Sequence, residues 1–203
     1  MIEQLLAILG TAQPIFFLLA GPNGAGKSTF RRSYLEPAGL PCVDPDAVAR
    51  TKYGRDPKTK SEAIAATAEA TEIVRAKLNE SISVGLETVL SDTKGLKLAL
   101  LTEARRLGYR AGVIFIGLED PQLSIARVKD RVDVGGHDVP DELIVQRFPR
   151  SYRNLRNAIP LSDFVLLVDN SHETRHRIFG IITREDGLRL WGDVPRWYEA
   201  FIF

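Results

Sequence analysis

Gly21-Pro22-Asn23-Gly24-Ala25-Gly26-Lys27-Ser28-Thr29 (GPNGAGKST) decides the reading of this chain. The apolar run before it, Pro14 to Ala20 (PIFFLLA), reads as a buried strand, and Phe30 to Leu35 after it can continue a helix. Strand, glycine-rich loop, Lys-Ser and helix, in that order, are the phosphate-binding P-loop in the context it requires. Gly21, Gly24 and Gly26 let the backbone turn its amide hydrogens toward the phosphates of a nucleotide. Lys27 is expected at the loop surface, as a mobile positive charge at the outer phosphates. The Ser28 hydroxyl is expected to ligate a magnesium ion that bridges them. The helix that starts near Lys27 points its positive end at the same anion. The motif implies ATP or GTP binding and leaves open what happens to the terminal phosphate.

The 203 residues suffice for one domain with a sizeable core, and 44% hydrophobic with 26% charged residues is ordinary for a globular protein. Lys and Arg total 27 against 26 Asp and Glu, which argues against a global nucleic-acid or membrane footprint. The one cysteine, Cys42, excludes an internal disulfide and fits a reducing compartment. The N-terminal MIEQLLAILGTAQ has an acid and no basic cluster, unlike a secretory signal. The longest apolar run, Ile15 to Ala20, is too short to span a bilayer. These features predict a cytoplasmic protein of one domain over residues 1–203.

Outward from the P-loop, Ile2, Leu5, Leu6 and Leu9 have helical spacing. Leu40 to Val43 reads as a second strand ending in Asp44-Pro45-Asp46. A long helix is predicted over Lys60 to Ser81, with Thr59 and Glu62 as a capping box and Ile64, Thr67/Ala68, Thr71, Val74 and Leu78 as its inner stripe. Val84 to Leu90 is a third strand, apolar on both faces as in a parallel sheet. Asp92 or Thr93 can cap a helix over Lys94 to Leu107, which Gly108 stops. Ala111 to Ile116 and Phe164 to Val168 are further strands. Between them, helices open at Asp120-Pro121 and at Pro140-Asp141-Glu142, and Pro149 is expected to break or kink the second. This alternation predicts an α/β, doubly wound, parallel five-stranded sheet flanked by helices, of the P-loop NTPase kinase-like class. Near residues 175–203 the pattern changes to a β-hairpin (Arg177 to Thr183, Leu188 to Trp191) and a terminal helix that packs Trp197, Tyr198 and Phe201.

Candidate chemistry collects past the strand ends, where open α/β sheets bind ligands. An Asp-x-Asp on an extended segment points both carboxylates to one side. Asp44 then belongs to the magnesium shell and Asp46 faces a substrate hydroxyl as general base. A helix cap at Asp44, with Pro45 in the first turn, is compatible with those roles. Glu87 lies in an apolar strand, where a carboxylate is costly unless it is paired or aimed into a pocket. It is expected to face the same crevice, near Thr88 and Asp92, or else to make a structural ion pair. Arg127, Arg131, Arg147, Arg150, Arg153 and Arg156 suggest an arginine-bearing lid over about residues 120–158, with a solvated basic face as the alternative. His172-Glu173-Thr174-Arg175-His176 matches the zinc-protease string HExxH, yet it follows the turn-forming Asp169-Asn170-Ser171 and not a helix start. FVLLVDN resembles a Walker B strand with Asp169, but Asn170 stands where ATP hydrolases carry a water-polarising Glu. No LSGGQ-like or N/T-K-x-D motif is present. These features favour a kinase.

Taken together, GPNGAGKST, DPD, LETVLS, RVKDRVDVGGHDVP with QRFPRSYRNL, and LLVDNS resemble the zeta-toxin-like P-loop proteins, in the branch often labelled "predicted ABC-type ATPase". The resemblance spans roughly residues 14 to 171. It implies a small-molecule kinase that moves the ATP γ-phosphate to a hydroxyl of a nucleotide-sugar such as UDP-N-acetylglucosamine, with Mg2+. By motif position it implies Lys27 and Ser28 as the ATP and magnesium residues, Asp46 as the base and Glu87 as a substrate-contacting acid. Arg127 or Arg131 matches a phosphate-contacting arginine. A second such arginine falls near His137, and Arg147 is the alternative. Val89 stands where the family usually has a threonine. The resemblance also implies a separate antitoxin protein as partner. The alternatives are a P-loop ATP-binding or hydrolysing protein and a kinase of nucleic-acid ends. We expect Lys27→Ala to lose ATP turnover while circular dichroism shows the fold intact; an unfolded variant, or one with near-normal turnover, would misplace the loop.

Overall fold

Ile15–Ala20 (β1) is apolar at every position and buried at every position, so neither face of this strand meets water. The computed structural model describes Leu9 and residues 13–133, 135, 136, 138–172 and 175–202. The helix predicted on residues 2 to 9 lies outside them except for Leu9, which is buried. β1 sits inside a seven-stranded sheet with β2 (Cys42–Val43), β3 (Val84–Thr88), β4 (Arg110–Gly117), β5 (Phe164–Asp169), β6 (Arg177–Thr183) and β7 (Gly187–Leu190), in the order β2-β3-β1-β4-β5-β6-β7. The first five strands are parallel. The predicted hairpin extends this same sheet, with β6 antiparallel to β5 and β7 antiparallel to β6.

Register places the strand ends. Leu19 pairs with Glu87 and Ala20 with Thr88, while Val43 pairs with Leu86. One residue further along, β2 and β3 give Asp44 and Glu87, both level with the end of β1. The P-loop, Asp44 and Glu87 therefore share one sheet edge.

Seven helices flank the sheet among the described residues: α1 (Lys27–Phe30), α2 (Pro45–Tyr53), α3 (Lys60–Asn79), α4 (Leu96–Arg106), α5 (Pro121–Asp133), α6 (Asp141–Ala158) and α7 (Arg196–Phe201). α1 continues into a wider turn over Arg31–Leu35, with the Glu36 amide donating to the Arg31 carbonyl at 3.0 Å. α2 is the helix implied by the alternative reading of a cap at Asp44 with Pro45 in the first turn; Asp44 caps it and Gly54, at φ 68°, ends it. The capping box of α3 is present. Its buried stripe is Ala66, Ala70, Val74 and Leu78, and Ile64 is 60% exposed. The predicted stripe was wrong in its first half, where Ala66 and Ala70 take the buried positions on a helix that also packs against α2. Asp92 serves α4, accepting the Leu96 amide at 2.7 Å. α6 neither breaks nor ends at Pro149. Proline removes the donor to the Val145 carbonyl, and both residues are exposed, where solvent replaces that bond.

α7 packs on the domain, as its aromatics predicted. Trp197 is buried against Phe115, Tyr152 and Phe179, with centroids 5.8, 5.5 and 5.3 Å away. A side chain at Gly117 would collide with its indole. Its Nε1 donates to Asp169 Oδ1 at 2.8 Å. Trp197→Phe keeps most of the packing but removes a donor from a buried carboxylate. We expect it to lower the unfolding free energy by about 1–3 kcal/mol in urea denaturation; an unchanged midpoint would mean that the contact is incidental.

Candidate active site

The chain leaves β1 at Ala20 and turns through Gly21 (φ 147°) and Gly26 (φ 85°), both in the region that favours glycine. A side chain at Gly26 would also strike Asn170 and His176. The loop is held by its carbonyls. Lys27 Nζ donates to Gly21 O at 2.9 Å and to Pro22 O at 2.8 Å. Ser124 Oγ of α5 donates to Asn23 O, Asn170 Nδ2 donates to Ala25 O at 3.0 Å, and His176 Nε2 lies 3.1 Å from Gly26 O. Lys27 is thus buried, not at the loop surface as expected. Burial lowers its pKa to about 8; Glu87, Asp46 and Asp44 pull the other way, and Arg131 adds to the lowering.

Ser28 Oγ donates to Glu87 Oε1 at 2.8 Å. Glu87 is buried, and burial pushes its carboxyl up, opposed by Lys27, the Ser28 hydrogen bond and Arg31. Arg31 Nε stands 3.4 Å from Glu87 Oε2, and its Nη2 3.6 Å from Asp44 Oδ2. The first contact is an ion pair without hydrogen-bond geometry, which leaves both buried atoms without a hydrogen-bond partner. Arg50 approaches Asp44 from α2 at 3.6 Å. Asp44 Oδ1 also accepts the Asp46 amide at 2.9 Å.

This corrects the picture of an extended Asp-x-Asp. The chain enters α2 at Pro45, so Asp44 is a cap and arginine partner, and Asp46 lies in the first helical turn. The carboxylate at Ser28 is Glu87, not Asp44. Asp46 is half-buried and close enough to Lys27 and Arg147 to act on both charges.

The other candidates divide. Thr88 Oγ1 accepts the Leu90 amide at 3.0 Å, steadying Leu90 at φ 57°. Asp92 holds α4 with one oxygen, while its Oδ1 is buried without a hydrogen-bond partner. His137 lies outside the described residues. Arg127 Nη1 donates to Asn170 O at 2.6 Å, which ties α5 to the P-loop side. Arg131 acts on Lys27, Arg147 and Arg150 are half-buried, and Arg153 and Arg156 are exposed. The arginine segment is therefore not one uniform lid surface.

Asp169 is not poised toward the P-loop as a Walker B acid would be. Its Oδ1 accepts from Trp197 and, at 2.7 Å, from Ser171 Oγ, and Arg177 stands 3.7 Å from Oδ2. His176 of the HExxH string precedes β6 and meets the P-loop, with its ring edge-on to Phe30 at 5.3 Å. Among the described residues no group of three His, Cys, Asp or Glu could hold a metal. Sequence reasoning missed Arg31, Ser124 and His176. For Arg31 a signal existed: four residues after Lys27, it shares that residue's helix face.

Comparison with known proteins accords with this geometry. The AAA domain family matches residues 16–154, from β1 into α6. An uncharacterized protein of Haemophilus influenzae is 27% identical over 128 residues, 63% of this chain and 88% of its own length. The AvrRxo1-ORF1:AvrRxo1-ORF2 complex has a TM-score of 0.69 with sulphate ions and 0.68 with ATP, at 15% identity, covering 99% of this chain and 67% of that one. The PezAT chromosomal toxin-antitoxin system of Streptococcus pneumoniae has a TM-score of 0.56 at 18% identity, over 83% of this chain and 73% of its own. Shikimate kinase from Acinetobacter baumannii, in complex with shikimate, gives 0.50 at 17% identity, over 80% and 86%. These structures share the α/β P-loop fold. No helix among the described residues is long and apolar enough to cross a membrane.

The buried lysine gives a pH test. Its folded pKa is lowered from 10.5 to about 8, so the unfolded chain binds more protons in that window and stability rises with pH there. Lys27→Met has no titrating group at this position. The unfolding free energy of the unsubstituted protein minus that of Lys27→Met should grow by about 3 kcal/mol across the window. A pH-independent difference would place the ammonium in water.

Proposed function

Because the chain belongs to the AAA domain family, we propose that its P-loop serves an ATP-dependent phosphotransferase acting on a small-molecule hydroxyl. A nucleotide-sugar such as UDP-N-acetylglucosamine is the proposed acceptor. The observation that carries this reading is the Ser28–Glu87 contact, with Asp46 placed close to Lys27 from a separate element. One carboxylate is held at the P-loop serine, and the second, Asp46, would take the proton. Such a division suits transfer to a hydroxyl.

Ser28 and Glu87 would hold Mg2+. The donor set fits a hard cation: a hydroxyl and a carboxylate, one of whose buried oxygens makes no hydrogen bond. When bound, ATP supplies the γ-phosphoryl group and Mg2+ neutralises charge on its phosphate oxygens. Lys27, now on the Gly21 and Pro22 carbonyls, would meet the phosphate oxygens. Arg31 keeps Glu87 and Asp44 together despite their like charge, and Arg127 and Arg131 carry positive charge on the α5 side of the loop. Asp46 accepts the proton of the attacking hydroxyl. Asn170, which follows β5, is spent on the Ala25 carbonyl, which favours transfer to an acceptor over hydrolysis. A separate antitoxin belongs to the same reading, supported by the toxin-antitoxin system among the structural neighbours.

Incubation with γ-labelled ATP and a pool of nucleotide-sugars tests this. We expect label on an acceptor; label found only as free phosphate would overturn the kinase reading. Asp46→Asn should cut transfer roughly 100-fold and leave ATP affinity within a few-fold. Glu87→Gln should instead weaken metal-dependent ATP binding. A near-normal rate for Asp46→Asn would remove it as the base.

A further inference from the structure

α6 is docked on the segment that follows β3. Ser151 Oγ donates to Val89 O at 2.6 Å, and Asn154 Nδ2 donates to Leu90 O and Asp92 O, each at 2.9 Å. Arg147 and Arg150 stand four residues before these two anchors, on the same helix face and one turn nearer the N-terminus. α6 leads into the start of β5, at the sheet edge opposite the P-loop. Its N-terminal direction therefore runs toward the P-loop edge, and side chains on a helix lean that way. Both arginines are half-buried. Among the described residues, no ion pair involves either one, although fourteen join other side chains.

Two like charges three residues apart, partly withdrawn from water and without an ion-pair partner among the described residues, are costly. Burial and Arg150 hold the Arg147 guanidinium below its ordinary pKa, with Asp46 pulling the other way. Asp46 lies within reach of this field, whereas Arg131 acts on Lys27. Arg127 and Arg131 belong to α5, which bonds the P-loop and Asn170, whereas Arg147 and Arg150 belong to α6, which bonds the segment after β3.

We propose that Arg147 and Arg150 form an acceptor-side anion subsite, so that the molecule phosphorylated here carries its own phosphate or pyrophosphate group near the hydroxyl that Asp46 deprotonates. The proposal rests on the phosphotransferase reading and reassigns Arg147 from the nucleotide to the acceptor. Paired guanidinium forks match phosphate oxygens, and such an anion would relieve the repulsion between them.

Inorganic pyrophosphate is the probe, titrated calorimetrically into protein whose P-loop is saturated with a non-hydrolysable ATP analogue. We expect it to bind, and the Arg147→Gln/Arg150→Gln variant to lose about 10-fold or more in that affinity. Affinity for the analogue should hold, and the exposed Arg156→Gln variant should match the unsubstituted protein. Thermal unfolding checks that each variant folds; if the double variant does not, the Arg147→Lys and Arg150→Lys variants replace it, with partial loss expected. No pyrophosphate binding to the unsubstituted protein, or equal binding by the variants, overturns the subsite. A loss of analogue affinity in the double variant would return these arginines to the nucleotide and also overturn it. Pyrophosphate binding that depends on both arginines, with no label transferred to any acceptor, would instead refute the phosphotransferase reading and leave the anion subsite standing.

Discussion

Glu87 is a carboxylate placed where β3 is still buried on its sheet faces. Taking such a group out of water is expensive, and the neighbouring structure answers that cost. Ser28 supplies a hydroxyl from α1 and Arg31 a guanidinium from the next turn. Arg31 then reaches Asp44, which Arg50 meets from α2. One buried charge thus ties together β3, the P-loop helix, the end of β2 and the start of α2. Parallel register makes this possible, because it sets Asp44 and Glu87 level at the same edge.

The P-loop depends on a second set of bonds. The carbonyls of Gly21, Pro22, Asn23, Ala25 and Gly26 are each met by a side chain. Drawing carbonyls back into the protein leaves the loop's amides to face an anion, which is the polarity a phosphate site needs. The side chains that do this come from Lys27, from α5 and from the stretch between β5 and β6. The β5 end of that stretch is fixed in turn by Trp197 on Asp169. A terminal aromatic helix therefore helps to shape a loop near the start of the chain, through a buried carboxylate that resembles a Walker B acid in sequence.

Much of the fold was legible in local pattern. Runs such as PIFFLLA, AGVIFI and FVLLV became the buried strands they resemble, and the Thr59–Glu62 box became a helix start. Misreadings occurred where packing outvoted pattern. Ile64 looked like a core residue by spacing, but it is exposed and the alanines at 66 and 70 are buried instead. Pro149 looked like a break, yet its lost bond falls on an exposed face. α2 stood only as an alternative because Asp-Pro-Asp reads equally well as an extended segment and as a capped first helical turn.

The sequence by itself determined the phosphate-binding loop and the parallel α/β class. Each of these rests on chemistry local to a few residues: glycine dihedrals, hydrophobic periodicity and caps. Only the tertiary structure decided which carboxylate meets Ser28, that Lys27 is buried, that Asp169 serves Trp197, and that the arginine-bearing helices bond different segments, α5 the P-loop and α6 the stretch after β3. Those outcomes depend on strand order and helix docking. Hydrogen bonds and ion pairs form between groups a few ångströms apart whatever their separation in sequence, and Ser28 lies fifty-nine residues from Glu87.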